Sequence, residues 1–216
     1  MIDKFLIEAG GITKYFSYGR YIFKDINLTI SNGDCIAITG ENGSGKSTLI
    51  KILSHIIQPS SGKIQIKINE KLLKEDDFFH HFGFVSPYLI LYEEFSPVEH
   101  FKITEDMKSV EYNEELALDL LRRFKLLDKM HEHIRTYSSG MKQRIKYIQA
   151  LLGEPKVLFL DEPFTNLDSD GIEIVREIMR AHLEKGGALV IASNDERETF
   201  LQNSTIFLSG NNKGKN

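Results

Sequence analysis

Residues 40–48 carry the clearest chemistry in this sequence and read Gly-Glu-Asn-Gly-Ser-Gly-Lys-Ser-Thr. They fit the phosphate-loop pattern of Gly, four residues, Gly, Lys and then Ser or Thr. The glycines let the backbone fold tightly and bring its N–H groups against phosphate oxygens. Lys46 adds a positive charge for the β- and γ-phosphates, and the Ser47 hydroxyl is suited to Mg²⁺. The predicted nucleotide-binding residues of this phosphate loop are Gly40, Glu41, Asn42, Gly43, Ser44, Gly45, Lys46, Ser47 and Thr48.

The segments on either side support this interpretation of the phosphate loop. Residues 34–39 form a short apolar run typical of a buried strand, and residues 47–56 repeat apolar residues at helical spacing. A helix N-terminus after a Gly-rich turn binds anions, because its free N–H groups and its dipole both point at the phosphate. The alternative is a chance Gly-rich turn, which is disfavoured because strand, loop and helix are all in place. We therefore predict that the chain binds a nucleoside triphosphate.

A second chemical feature is the apolar run 157–160, which ends in Asp161 and Glu162. A parallel strand that ends in acidic residues delivers its carboxylates to the carboxyl edge of the sheet, where such folds bind ligands. This run therefore brings two carboxylates to the edge at which the phosphate loop is expected.

The rest of the chain divides into a β-rich beginning, a helical middle section and an α/β end. Residues 88–135 carry many charges and helical periodicity, and Asn113 can cap a helix there, so we interpret them as a helical subdomain inserted into an α/β core. Residues 211–216 contain no apolar side chain and are expected to be disordered. Strands are predicted at 5–16, 21–30, 63–68, 80–85, 188–192 and 205–208, and helices at about 138–152 and 169–185.

Composition excludes several other functional classes. The 216 residues suit one domain, and a net charge of −4 gives no support to a nucleic-acid partner. No apolar run approaches the ~20 residues of a membrane-spanning helix, and the acidic N-terminus does not resemble a secretory signal. The one cysteine, Cys35, lies in a predicted strand and is interpreted as a core residue. These features are typical of the cytoplasm.

Two weaker groups of residues are interpreted as surface features. The pairs His80-His81 and His131-Glu-His133 could hold a metal, but histidines in charged, irregular sequence are far more often plain surface residues. The basic residues Lys142, Arg144 and Lys146 are predicted to form the solvated face of a helix.

Taken in order, the motifs resemble those of an ATP-binding cassette (ABC) ATPase over nearly the whole chain. Residues 158–162 resemble the Walker B strand, and 166–168 resemble the D-loop. Residues 137–141, here called the signature segment, stand where the family has Leu-Ser-Gly-Gly-Gln. Residues 14–16 resemble the segment with the adenine-stacking aromatic, which makes Phe16 the candidate. Packing between strands remains an equal alternative for Phe16 and for its neighbours Tyr15, Tyr18 and Tyr21.

The resemblance implies a fold, a domain organisation and roles for residues. The fold is an α/β P-loop NTPase core with a parallel sheet, an N-terminal antiparallel β-subdomain and an inserted helical subdomain, forming a single domain over residues 1–210. Ser47 and Asp161 would hold Mg²⁺, and Glu162 would polarise the attacking water. Two subunits would pair head to tail on ATP binding. ATP would then lie between one phosphate loop and the partner's Ser138, Ser139 and Gly140.

Three departures from the family pattern affect these expectations. Ser86 and Pro87 stand where the family has a Gln that contacts Mg²⁺ and the water. Ser139 and Met141 replace a Gly and a Gln of the signature. Asn194 stands at the position of the switch His, where it can bond a γ-phosphate oxygen but cannot carry a proton. We expect hydrolysis through Glu162, with Lys46 and Asn194 assisting.

The resemblance implies the ATP-binding and hydrolysing subunit of an ABC transporter, which powers transport through separate membrane-spanning subunits. Such a subunit is cytoplasmic and peripheral at the inner face of the membrane, and this compact chain is similar to small exporters, including those for haem. The apolar run 88–92 would dock the membrane partner, unless it packs inside the subdomain. Two alternatives remain: a soluble, non-transport ABC ATPase, and a nucleotide-gated switch with little turnover.

Overall fold

The computed structural model describes residues 3–17 and 19–209, which include two β-sheets. The N-terminal sheet is antiparallel and has the strand order β2-β1-β4-β5. Its first strand buries Phe5, Ile7 and Ala9 at alternate positions, as a half-covered sheet requires. The strands are β1 (Phe5–Ser17), β2 (Arg20–Ser31), β4 (Ser61–Ile68) and β5 (Lys71–Leu72).

The central sheet is parallel and has the strand order β6-β7-β8-β3-β9. Every residue of β7 and β8 is buried, which explains their continuous apolar sequence. Because these strands are parallel, the residues that follow β3, β7 and β8 meet at one edge of the sheet. The strands are β3 (Cys35–Thr39), β6 (Phe82–Val85), β7 (Val157–Asp161), β8 (Ala188–Ala192) and β9 (Ser204–Phe207).

The helices begin at side-chain caps in most cases. Asn113 Oδ1 accepts a hydrogen bond of 3.0 Å from the Leu116 N–H, which confirms the predicted cap. Ser96, Ser138 and Asp168 cap other helices in the same way. The helices are α1 (Lys46–Leu53), α2 (Pro97–Met107), α3 (Glu114–Arg123), α4 (Ser139–Leu152) and α5 (Ser169–Glu184).

The helical section 88–135 shares a hydrophobic core with the central sheet. Phe101 of α2 and Leu121 of α3 belong to the same buried cluster as Ile145 of α4 and Leu158 of β7. This shared core fixes α4, and therefore the signature segment, against the sheet. Among residues 3–17 and 19–209, no helix combines the length and apolar character needed to cross a membrane.

The sequence-based interpretation of Lys142, Arg144 and Lys146 as a solvated face is wrong. Arg144 and Lys146 are buried, and Lys142 Nζ lies 2.6 Å from Glu93 Oε2. The reason is that both sides of α4 are covered: Lys142 and Lys146 face residues 86–93, whereas Arg144 faces the ends of α3 and α5. Lys146 Nζ donates to the carbonyl oxygens of Ser86 and Pro87, at 3.2 and 2.6 Å. Burial lowers the pKa of Lys146.

Two other sequence-based expectations have mixed outcomes. The apolar run 88–92 leaves Tyr88, Ile90 and Tyr92 exposed, whereas Leu91 is buried in the core shared with α2. The predicted disordered tail at 211–216, like Tyr18, lies outside the described residues.

Candidate functional site

The phosphate loop connects the end of β3 to the start of α1, as predicted. Gly40 and Gly45 have backbone φ angles of 141° and 102°, which residues other than glycine rarely adopt. A Cβ on Gly40 would lie 2.2 Å from the Leu208 carbonyl oxygen, and one on Gly45 would lie 2.4 Å from Ile22 Cγ2. Glycine is therefore required at both positions by conformation and by space.

Lys46 points its ammonium group into the phosphate loop. Its Nζ donates to the carbonyl oxygens of Gly40 and Glu41, at 2.7 and 3.2 Å. The side chain is buried although it lies in the first turn of α1. The loop therefore surrounds a fixed positive charge, next to the helix N-terminus that already favours anions.

Ser47 and Asp161 are 114 residues apart in the sequence but lie side by side in the site. Ser47 Oγ donates to Asp161 Oδ1 over 2.9 Å, and Ser86 Oγ lies 3.4 Å from Asp161 Oδ2. The pKa of Asp161 is raised by burial, and the hydrogen bond from Ser47 offsets only part of this increase. A hydroxyl and a carboxylate at this spacing are the hard oxygen ligands that Mg²⁺ prefers, so the site fits the ion.

Glu162 follows β7 in an unusual backbone conformation. Its φ is 48°, in the left-handed region, and its N–H donates to the Ala192 carbonyl oxygen over 3.0 Å. The side chain is exposed at the carboxyl edge of the sheet. A non-glycine residue held in this conformation is strained by about 1–3 kcal/mol, and such strain is commonly found at functional sites.

Asn194, which follows β8, contacts the phosphate loop directly. Its Oδ1 accepts a hydrogen bond from the Gly40 N–H over 3.1 Å, and its Nδ2 donates to Asn42 Oδ1 over 3.3 Å. The residue in the switch position is therefore attached to the loop at two points.

The signature segment leads into α4. Ser138 Oγ accepts a hydrogen bond of 3.2 Å from the Met141 N–H, and Ser138 and Ser139 are exposed. A Cβ on Gly140 would lie 2.9 Å from the Asn166 carbonyl oxygen, so glycine is needed for close packing. Within the described ranges, no hydrogen bond joins 138–140 to the phosphate loop of the same chain. The segment presents a free helix N-terminus to the surroundings.

Phe16, the predicted stacking residue, is 79% exposed near the end of β1. Tyr15 and Tyr21 instead pack edge to face, with ring centroids 5.9 Å apart. Phe16 is therefore the most exposed of these three aromatics, since Tyr15 and Tyr21 are 42% and 39% exposed.

The histidines of the sequence-based analysis do not form a metal centre in the part of the chain that is described. His131 and His133 are exposed, and His80 and His81 are half-buried. A separate cavity of about 290 Å³, lined by Lys156, His182 and Gly187 among others, lies at the opposite, amino end of β7 and β8. It is not part of the phosphate-loop site.

Comparison with known proteins decides the family. The family model described as ABC transporter matches residues 23–165. The chain belongs to the ABC transporter family. This membership makes it an ATP-binding subunit that hydrolyses ATP, in agreement with the phosphate loop and the carboxylates after β7.

Relatives and solved structures agree with this ABC assignment. The "Lipoprotein-releasing system ATP-binding protein LolD" of Leptospira interrogans is 32% identical, over 81% of this chain and 76% of that protein. The "Cytochrome c biogenesis ATP-binding export protein CcmA" of Histophilus somni is 28% identical over 82% of both. A solved "ATP binding subunit of ABC transporter" is 27% identical with a TM-score of 0.81, covering 97% of this chain and 89% of that one. The predicted fold class is thus confirmed.

Sequence analysis missed several tertiary contacts that support this ABC site. Arg144 Nη2 lies 2.6 Å from Asp168 Oδ1, and Tyr147 Oη donates to the Pro163 carbonyl oxygen over 2.9 Å. Glu198 is buried and accepts a 2.7 Å hydrogen bond from the Phe164 N–H. No local pattern marks these residues, because Glu198 lies in the charged run 194–198, where a carboxylate is expected to be exposed.

Proposed function

We propose that this chain binds MgATP at the phosphate loop and hydrolyses it to power transport through separately encoded membrane-spanning subunits. The observation that carries the proposal is the 2.9 Å hydrogen bond between Ser47 and Asp161. It joins the loop that would hold the phosphates to the strand that would hold the catalytic carboxylates.

The nucleotide would be held at both of its ends. The exposed ring of Phe16 offers a flat face on which adenine can stack. The N–H groups of residues 40–48 would bond the phosphates, with Lys46 neutralising charge on the β- and γ-phosphates. Lys46 would exchange its present carbonyl acceptors for phosphate oxygens.

Ser47 and Asp161 would hold Mg²⁺, which when bound neutralises negative charge on the phosphates. Glu162 would act as the base that accepts a proton from the attacking water, because its exposed carboxylate follows Asp161 directly. Asn194 would donate its amide to a γ-phosphate oxygen, and Lys46 would stabilise the charge that develops there.

Two copies of the chain would pair head to tail around ATP. Ser138, Ser139 and Gly140 present an exposed helix N-terminus that can donate N–H bonds to the partner's γ-phosphate. Related folds described as dimeric cassettes, with TM-scores of 0.80, support this arrangement. ATP would then favour the closed dimer, which converts nucleotide binding into movement.

The chain would lie in the cytoplasm, at the inner face of the membrane. Residues 1–210 would form one domain, into which the helical subdomain 88–135 is inserted. Tyr88, Ile90 and Tyr92 are 75%, 87% and 46% exposed, and we assign them to the surface that docks the membrane subunit.

A second candidate function is a nucleotide-gated switch with little turnover. It is favoured by Asn194, which cannot carry a proton, and by Ser86 and Pro87, which replace the expected Gln. The test is purification from detergent-solubilised membranes followed by ATPase assay. A transporter subunit co-purifies with a membrane protein and hydrolyses ATP; a partner-bound complex without turnover supports the switch, and a catalytically active chain without a membrane partner supports a soluble ATPase.

A further inference from the structure

A buried carboxylate, Glu198, connects the two loops that carry the proposed catalytic side chains. Its Oε1 accepts the 2.7 Å hydrogen bond from the Phe164 N–H, two residues after Glu162. Its Oε2 accepts a short hydrogen bond from the Ser193 hydroxyl, one residue before Asn194. The side chain therefore bridges the loop after β7 and the loop after β8.

Both ends of this bridge are themselves fixed. Ser193 Oγ also accepts a 2.9 Å hydrogen bond from the Asp195 N–H, and the Ser193 N–H donates to the Ile38 carbonyl oxygen over 3.1 Å. On the other side, the Phe164 ring is buried beneath Arg176, whose guanidinium carbon lies 5.4 Å from the ring centroid. Because each end is anchored within its own loop, the Glu198 side chain sets the distance between the two loops.

The acceptor geometry, and not the charge, accounts for a carboxylate at this position. Glu198 is 5% exposed, and its two hydrogen-bond partners are a neutral amide and a neutral hydroxyl. Burial raises the pKa of its carboxyl group, which the two hydrogen bonds offset only in part. A buried group with two acceptor oxygens satisfies two donors that would otherwise be orphaned.

We infer that Glu198 is a positioning residue for ATP hydrolysis, which holds Glu162 and Asn194 at a fixed separation across the γ-phosphate site. This inference rests on the proposed roles of Glu162 and Asn194. Glu198 does not touch the nucleotide, so its loss should slow the chemical step and leave nucleotide binding nearly unchanged. A misplacement of about 1 Å in a catalytic group can cost ~10²-fold in rate.

Three substitutions separate geometry from charge. Glu198→Gln loses one of the two acceptor oxygens but keeps the length and a carbonyl acceptor for the Phe164 N–H. Its amide can donate to the Ser193 oxygen, so both contacts remain with the second one reversed. Glu198→Asp keeps the charge but is one methylene too short to reach both partners. Glu198→Ala removes both hydrogen bonds. The matched control is Glu196→Ala, which removes an exposed carboxylate of the same segment.

The measurements are kcat and KM for ATP, with thermal unfolding of each variant to confirm that the assays are made on folded protein. We expect Glu198→Asp and Glu198→Ala to lower kcat by ~10- to 100-fold with KM within ~3-fold of wild type. Glu198→Gln and Glu196→Ala should stay within ~3-fold in both constants. If Glu198→Ala does not fold, Ser193→Ala, which removes one arm of the bridge together with the acceptor of the Asp195 N–H, should show a smaller loss confined to kcat.

Other outcomes overturn the inference. If Glu198→Asp has the kcat of wild type and Glu198→Gln has a lower one, hydrolysis depends on the charge of Glu198 and not on its bridging hydrogen bonds. If kcat is unchanged in Glu198→Ala and Ser193→Ala, the bridge is merely structural. A failure of the proposed function itself is distinguishable, because wild type and Glu162→Gln would then be equally inactive.

Discussion

Arg144 Nη2 and Asp168 Oδ1 form a 2.6 Å ion pair, and Arg144 Nη1 also donates to the Phe124 carbonyl oxygen over 3.0 Å. One guanidinium thereby joins α4 to the ends of two other helices, α3 and α5. Asp168 Oδ1 also accepts a 2.9 Å hydrogen bond from the Gly171 N–H, and this bond, with that from Arg144, lowers the pKa of Asp168. The D-loop and the signature helix are therefore held together within one subunit.

Arg144→Gln should lower the free energy of unfolding by about 1–3 kcal/mol, because it leaves the buried Phe124 carbonyl without its charged donor. The matched control is Lys125→Gln, which breaks the exposed 2.7 Å pair with Asp170. An exposed pair contributes at most about 1 kcal/mol. Denaturant titration measures the free energy of unfolding of both variants. Equal losses in the two variants would mean that burial adds nothing to the contribution of Arg144.

Lys46→Ala should abolish or greatly weaken MgATP binding, because the β- and γ-phosphates lose the one ammonium group placed inside the loop. Calorimetric titration measures the affinity. Lys63→Ala, at an exposed position of β4, is the control and should bind normally. Unchanged affinity in Lys46→Ala would mean that the nucleotide binds elsewhere.

Glu162→Gln should leave ATP binding intact and slow hydrolysis by ~10²- to 10⁴-fold, because the amide keeps the shape but loses the basicity. A closed dimer should then accumulate on ATP, which size-exclusion chromatography detects. If wild type and Glu162→Gln are equally inactive, both alone and with the membrane partner, the result would instead favour the nucleotide-gated switch.

Asn194 makes two different hydrogen bonds to the phosphate loop, and two substitutions separate them. Asn194→Ala removes both and should slow turnover ~10-fold, the order of one lost hydrogen bond to a charged group. Asn194→Asp keeps an acceptor for the Gly40 N–H but places a negative charge beside the phosphates, so it should be slower still. Steady-state ATPase rates distinguish the two roles of Asn194. If Asn194→Asp turns over as fast as wild type, the only role of the residue is to hold the phosphate loop.

Cysteine crosslinking can locate the membrane partner, because the native Cys35 is fully buried and burial raises its pKa to about 12. Single cysteines at Tyr88 or Tyr92 should capture a membrane subunit. A cysteine at Leu72, which is 62% exposed on β5, is the control and should capture none. Capture from Leu72 alone would place the docking surface on the antiparallel sheet.

The phosphate loop could be predicted from the sequence because its determinants are local, and the fold could be predicted because the motifs occur in a recognisable order. Strand, glycines and helix follow one another over residues 34–56. By contrast, Asn194 and Asn42 are 152 residues apart, and only tertiary folding brings them into contact. The burial of Lys146 on α4, and of Leu91 in the loop before α2, likewise depends on tertiary neighbours that no residue pattern records.

The position of β3 in the central sheet has a consequence for biosynthesis. β3 carries the phosphate loop, yet its backbone partners belong to β8 and β9, which the ribosome makes only after α5. Until those strands emerge, Cys35–Thr39 is an apolar strand with unpaired edges, and nothing fixes its carboxyl end. A nascent chain that has not yet reached Ala188 therefore has the complete phosphate-loop motif without a working nucleotide site. Unpaired strand edges of this kind make a partly synthesised chain prone to aggregation.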